Sequence, residues 1–73
     1  MRTAANLNFG ESAKIDSIDC SHPSSRRILE TGFTPGQSIT LITKSLFDDP
    51  MAFSVRGTVI AIRKNEAESI KVL

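Results

Sequence analysis

Between Arg26 and Ile39 the chain reads RRILETGFTPGQSI, and this stretch limits the architecture more than any other. If Gly32 follows the C-cap of a short helix, Ile28 falls at the third position from the helix end and Phe33 just beyond the glycine. That is the spacing of a Schellman ending with its apolar clasp. A residue with a side chain would lose about 1–2 kcal/mol in the left-handed conformation that Gly32 adopts freely. TPGQ follows at once, with Pro35 and Gly36 suited to the two central positions of a type II turn. A helix stop fused to a tight turn re-aims the chain into a strand, QSITLITKS. It leaves room for one short helix, opened by Pro23 with Ser24 or Ser25, whose hydroxyl can accept a bond from an unpaired N-terminal amide.

The remaining apolar residues come in short runs. Met1 to Asn6 reads as a flexible N-terminal arm, leaving residues 7–73 as the domain. Ile15 and Ile18 lie three apart, which breaks strict alternation and implies a strand that is kinked or ends near Ile18. In QSITLITKS, Ile39 and Leu41 share one face and Thr40 and Ile42 the other. After the acidic loop tip LFDDP, the segment MAFSVRG alternates cleanly, with Met51, Phe53 and Val55 inward. Gly57 bends the chain into TVIAIR, apolar on both faces and expected to be the most buried strand. NEAE reads as a single helical turn, with Asn65 as cap and Glu68 reaching back. SIKVL closes with Ile70 and Val72 on one face. The pattern predicts a mainly β fold: a small barrel of about five strands with one short α-helix and a helical turn before the last strand. Closure would also remove exposed strand edges.

A chain of 73 residues is one domain, because half of it could not bury enough apolar surface to fold. Folding removes only about 60% of the unfolded surface from water at this size, so a deep substrate pocket would deplete the core. Function is expected on the exterior. Nine Lys and Arg against eight Asp and Glu are scattered rather than blocked, and there is no Trp or Tyr beside four Phe. Clustered cations and stacking aromatics, the signature of nucleic-acid binding, are missing. The single cysteine, Cys20, permits no internal disulfide and fits a reducing compartment. Without an apolar signal region or a membrane-length run, a cytoplasmic location is expected.

Few residues carry candidate chemistry. Asp19, Cys20 and His22 lie close together, and Cys20 and His22 are the candidates for a metal. A closed zinc site wants four ligands, mostly Cys and His, and this chain has one of each, so an ordinary loop before a helix is expected. Asp48 and Asp49 fit a turn whose carboxylates bond nearby amides, and no second acidic cluster completes a hard-cation cage. No phosphate-binding glycine loop and no G-x-S-x-G elbow occur. Leu46 and Phe47 stand where the local pattern obliges no apolar residue, either folding over the barrel end or anchoring a partner protein. Arg26 and Arg27 offer a similar choice between solvated helix surface and a charged rim.

The ordered series R-R-x-L-x-x-G-F-x-P-G, D-P, V-R-G-x-x-I-A-[IL]-R and E-A-x-x-I, running from Leu7 to Val72, resembles the FeoA family, small cytoplasmic proteins of bacterial ferrous iron uptake with an SH3-like barrel. The resemblance implies a non-catalytic accessory protein that binds and modulates FeoB, the Fe(II) permease with a cytoplasmic G-protein domain, and needs no cofactor of its own. The partner-binding residues expected on this basis are Arg26, Arg27, Leu46, Phe47 and Asp49. Gly32, Phe33, Pro35, Gly36 and Gly57 are expected to build turns. Leu46 replaces a frequent proline of the family and Asp48 a frequent glycine. Contact with the membrane would run through the partner alone, and a homodimer is compatible with the pattern. The same barrel also forms the C-terminal domain of iron- and manganese-dependent repressors, which here would be freestanding, since no DNA-reading helix pair precedes it. A weak divalent-metal-binding protein is the other alternative.

Overall fold

The computed structural model describes residues 2–44 and 49–73. Five antiparallel strands make up most of it: β1 (Ser12–Ile18), β2 (Ser38–Lys44), β3 (Met51–Val55), β4 (Thr58–Ile62) and β5 (Ile70–Val72). Helix α1 (Ser25–Thr31) joins β1 to β2, a one-turn helix α2 (Lys64–Ala67) joins β4 to β5, and a 3-10 turn occupies Ala4–Asn6.

Two residues of β1 explain how a small sheet encloses a core. The strand pairs with β2 over Ser12 to Lys14 and then with β5 from Ile15 onward. A bulge between Ile15 and Ser17 sets three residues of β1 against two of β5, so Ile15 faces Val72 and Ile18 faces Ile70. The extra residue bends the strand and lets two isoleucines three apart point into the same core. A second bulge, between Leu41 and Thr43, bends β2 against β3. Along the sheet the order is β4-β3-β2-β1-β5. Ile39, Leu41, Met51, Phe53, Ile70 and Val72 fill the interior from the strands, and Ile28 on α1 and Phe33 just beyond it cover the core. Phe33 meets Phe53 edge to face, with ring centroids 6.0 Å apart, the arrangement favoured by the ring quadrupoles.

The helix stop forms as its sequence predicts. Gly32 has φ of 119°; its N–H donates to the Leu29 carbonyl at 3.1 Å and that of Phe33 to Ile28 at 3.3 Å, the paired bonds of a Schellman ending. Gly36 has φ of 90°, and Gln37 closes the type II turn onto the Thr34 carbonyl at 3.0 Å. Gly32→Ala is expected to cost about 1–2 kcal/mol in urea unfolding. An added Cβ would lie 3.5 Å from Val55 Cγ1, an ordinary contact, so the loss measures backbone strain. An unchanged midpoint would contradict the left-handed assignment.

Four expectations need correction. β4 is not the most buried strand: it lies at the sheet edge, its pattern is exposed apart from Ile60 and Ile62, and Val59 is 63% exposed. The sheet's hydrogen bonding leaves β4 and β5 as its two ends, so the ladder does not close on itself. Residues 2–6 are packed rather than loose. Ala4 is buried, Thr3 bridges Lys71, and Val72 donates to the Arg2 carbonyl at 3.0 Å, which covers the outer edge of β5. Finally, the helical turn after β4 starts earlier than NEAE: its N-cap is Arg63, and the reciprocating carboxylate is Glu66, not Glu68. Between β3 and β4, Arg56 and Gly57 both take positive φ, making the two-residue mirror-image turn that matches strand twist.

Candidate functional site

Glu66 is the one buried acidic side chain among the described residues, 5% exposed on α2. A charge in that position needs partners, since stripping water from a carboxylate costs several kcal/mol in a protein interior. Two groups supply them. The Arg63 amide donates to Glu66 Oε1 at 2.8 Å, and the Arg27 guanidinium donates to Oε2. Burial pushes the carboxyl upward, but Arg27, the Arg63 amide and Ser24 together outweigh it and hold the group below the usual carboxylate range. Ser24 is the N-cap of α1, yet its hydroxyl makes no capping bond to its own helix. The hydroxyl of Ser25, the other expected cap, donates to the Cys20 carbonyl at 3.4 Å.

The network extends to the loop tip. Asp49 Oδ1 accepts the Lys64 amide at 3.1 Å, and its Oδ2 lies 3.6 Å from Arg63 Nη1. The first amides of α2 are thus satisfied by Glu66 and Asp49, which compensates the positive end of even one helical turn. Two of the expected partner-binding residues, Arg27 and Asp49, are thereby joined through α2 although they come from distant parts of the sequence. Both also have internal duties. Arg27 keeps about half its side chain exposed while pairing with Glu66. Arg26, its neighbour on α1, is exposed. Leu46 and Phe47 lie outside the described residues. Sequence reasoning missed Glu66; the spacing Arg63-Lys64-Asn65-Glu66 was the available signal, two residues ahead of the register assigned to NEAE.

The segment DCSH is a turn that leads into α1. Asp19 Oδ1 accepts both the amide of Ser21 at 3.0 Å and its hydroxyl at 2.6 Å, and these two bonds, with some opposition from desolvation, hold its carboxyl below the usual range. His22 Nδ1 accepts the Ser24 amide at 3.0 Å. Cys20 is exposed, its Sγ 3.6 Å from the Ile18 carbonyl. Among the described residues no three of His, Cys, Asp or Glu cluster as a metal site, and no pocket opens. No helix is long and apolar enough to cross a membrane.

The fold has independent counterparts. The FeoA domain model matches residues 2–73. The chain belongs to the FeoA family. Among solved structures, the FeoA-like protein of Clostridium acetobutylicum superposes with a TM-score of 0.90 at 27% identity, over 97% of this chain and 83% of that one. The FeoA of Stenotrophomonas maltophilia, solved with zinc and described as a prokaryotic SH3 domain protein acting as a candidate ferrous iron transport activating factor, matches with a TM-score of 0.87 at 27% identity. That match covers 100% of this chain and 91% of the other. A manganese-dependent transcriptional repressor shares the fold, with a TM-score of 0.87 at 14% identity over 99% of this chain and 40% of its own. No curated protein matches the sequence significantly. The fold of this FeoA domain is therefore SH3-like, a fold shared with part of a manganese-dependent repressor, and its family is linked to ferrous iron transport.

Proposed function

We propose that this FeoA domain is a non-catalytic accessory protein of bacterial ferrous iron uptake, acting in the cytoplasm by docking on the cytoplasmic face or G domain of a FeoB-type permease. The family match over residues 2–73 carries the reading. The interior supports it: the largest side chains fill the core, and the described residues form no pocket, so recognition falls to the exterior. The proposed surface includes exposed Arg26, the outward half of Arg27, Asp49, and Leu46 and Phe47 just ahead of Asp49 in sequence. A docked domain biases the permease only as far as it prefers one conformation, and a tenfold preference corresponds to about 1.4 kcal/mol.

Co-purification tests the surface. Phe47→Ser and Arg26→Glu are each expected to reduce recovery of the permease at least severalfold while leaving the fold intact, Phe47 through lost apolar burial and Arg26 through reversed charge. Unchanged recovery with both variants would remove this surface. Anaerobic calorimetry with Fe²⁺ separates the adaptor from a metal-binding protein: one equivalent bound by wild type and lost in Cys20→Ser and His22→Ala would favour the latter.

A further inference from the structure

The edge of β4 is unusual for a chain that protects its other sheet end with residues 2–3. The two-residue turn at Arg56 and Gly57 makes Val55 and Thr58 the closing pair of the hairpin, followed by Phe53 with Ile60 and Met51 with Ile62. These pairs exchange main-chain bonds, so Val59 and Ala61 turn their N–H and C=O groups away from β3. Among the described residues no main-chain bond from outside the ladder reaches either residue. Their side chains are exposed too, Val59 at 63%. Natural edges are usually blunted; this one presents unpaired backbone beside apolar side chains.

The charges at its ends decide what can lie there. Exposed Arg56 sits at one end of β4; at the other are exposed Lys64 and exposed Arg63, the latter 3.6 Å from Asp49. A second copy is disfavoured. Antiparallel pairing of two β4 edges that uses Val59 and Ala61 on both copies would bring the strand end beside Arg56 of each copy to the end beside Lys64 of the other, and like charges brought together are destabilising. An extended segment with a short apolar middle and acidic residues at both ends meets the same edge with opposite charge. We infer that β4 is a strand-addition site for such an acidic-flanked extended segment of a partner protein, held by the main-chain groups of Val59 and Ala61 and selected by Arg56, Arg63 and Lys64. The inference rests on the adaptor reading for its partner, but its test needs no permease, so either can fail without the other.

The probe is a synthetic peptide, Glu-Asp-Val-Thr-Val-Thr-Asp-Glu, compared with a version whose four acidic residues are lysines. With the whole chain, the acidic peptide is expected to bind at least tenfold more tightly by fluorescence anisotropy and to slow amide exchange at Val59 and Ala61 at least tenfold. Arg56→Glu with Lys64→Glu should reverse the charge preference. Val59→Pro should abolish binding, since it deletes an outward N–H and no ladder bond. Alternate N-methylation of the peptide checks the same point without altering the protein. Equal binding of both peptides, unprotected Val59 and Ala61 amides at saturation, or a concentration-dependent dimer that protects those amides without peptide would overturn the inference.

Discussion

Glu66→Ala lowers stability by about 2–4 kcal/mol, because the substitution removes the partner of both the Arg27 guanidinium and the Arg63 amide. A domain of 73 residues has about 0.05–0.15 kcal/mol of stability per residue, roughly 4–11 kcal/mol in all, so this is a large fraction of the whole. The same residue gives the domain an acid sensitivity with a definite sign. Its folded carboxyl titrates below the ordinary value of 4.5, so the unfolded chain takes up the proton first as pH falls. The contribution is fully present above the ordinary value and disappears as pH drops through the lower folded one. Glu66→Gln keeps the shape and an acceptor for Arg63 but loses the charge. Its urea midpoint should lie below wild type at pH 7, by about 1–3 kcal/mol in free energy, and the gap should close on acidification toward pH 3. Glu11 and Asp19 are also held low, by the Asn8 amide with Arg2 and by Ser21, but both are common to the two proteins and cancel in the difference. A gap that persists unchanged to pH 3 would mean that Glu66 is not a paired carboxylate.

Phe33→Ala is expected to cost more, about 3–5 kcal/mol. Phe33 is fully buried, and its loss removes the edge-to-face contact with Phe53 and the apolar clasp that follows the Gly32 helix stop. Helix α1 would lose its anchor on the sheet, and with it the seat of Arg27 on Glu66. In a domain of this size the variant should be largely unfolded near body temperature. Phe9→Ala is the control: Phe9 is 76% exposed, and a surface change of that kind falls within about 0.5 kcal/mol. Thermal unfolding followed by far-ultraviolet circular dichroism compares the two; equal transitions would refute the packing described for α1.

The features legible in the sequence were those decided within a few residues. Gly32 with Phe33, Pro35 with Gly36, and the alternation of Met51, Phe53 and Val55 each carry their instruction locally, and all appear as expected. β4 misled because TVIAI is apolar on both faces, and composition does not say whether a strand lies at the centre or the edge of a sheet; that depends on pairing with β3 alone. The N-terminal segment misled for a related reason, since Ala4 gains its burial from distant β5 and α2 rather than from its neighbours. The Arg27 and Glu66 link was illegible because it joins residues 39 positions apart. Arg27 and Glu66 look like solvated surface charges until α1 and α2 are brought side by side.

The adaptor account is tested most directly by anaerobic proteoliposomes containing a FeoB-type permease, with Fe²⁺ entry followed in the presence of nucleotide as this protein is titrated in. The account predicts a saturable change in iron flux that Phe47→Ser shifts to higher concentration, with Glu66→Gln near neutral pH acting only as far as it unfolds the domain. Identical flux at every concentration of folded protein, with no association to the permease, would contradict it.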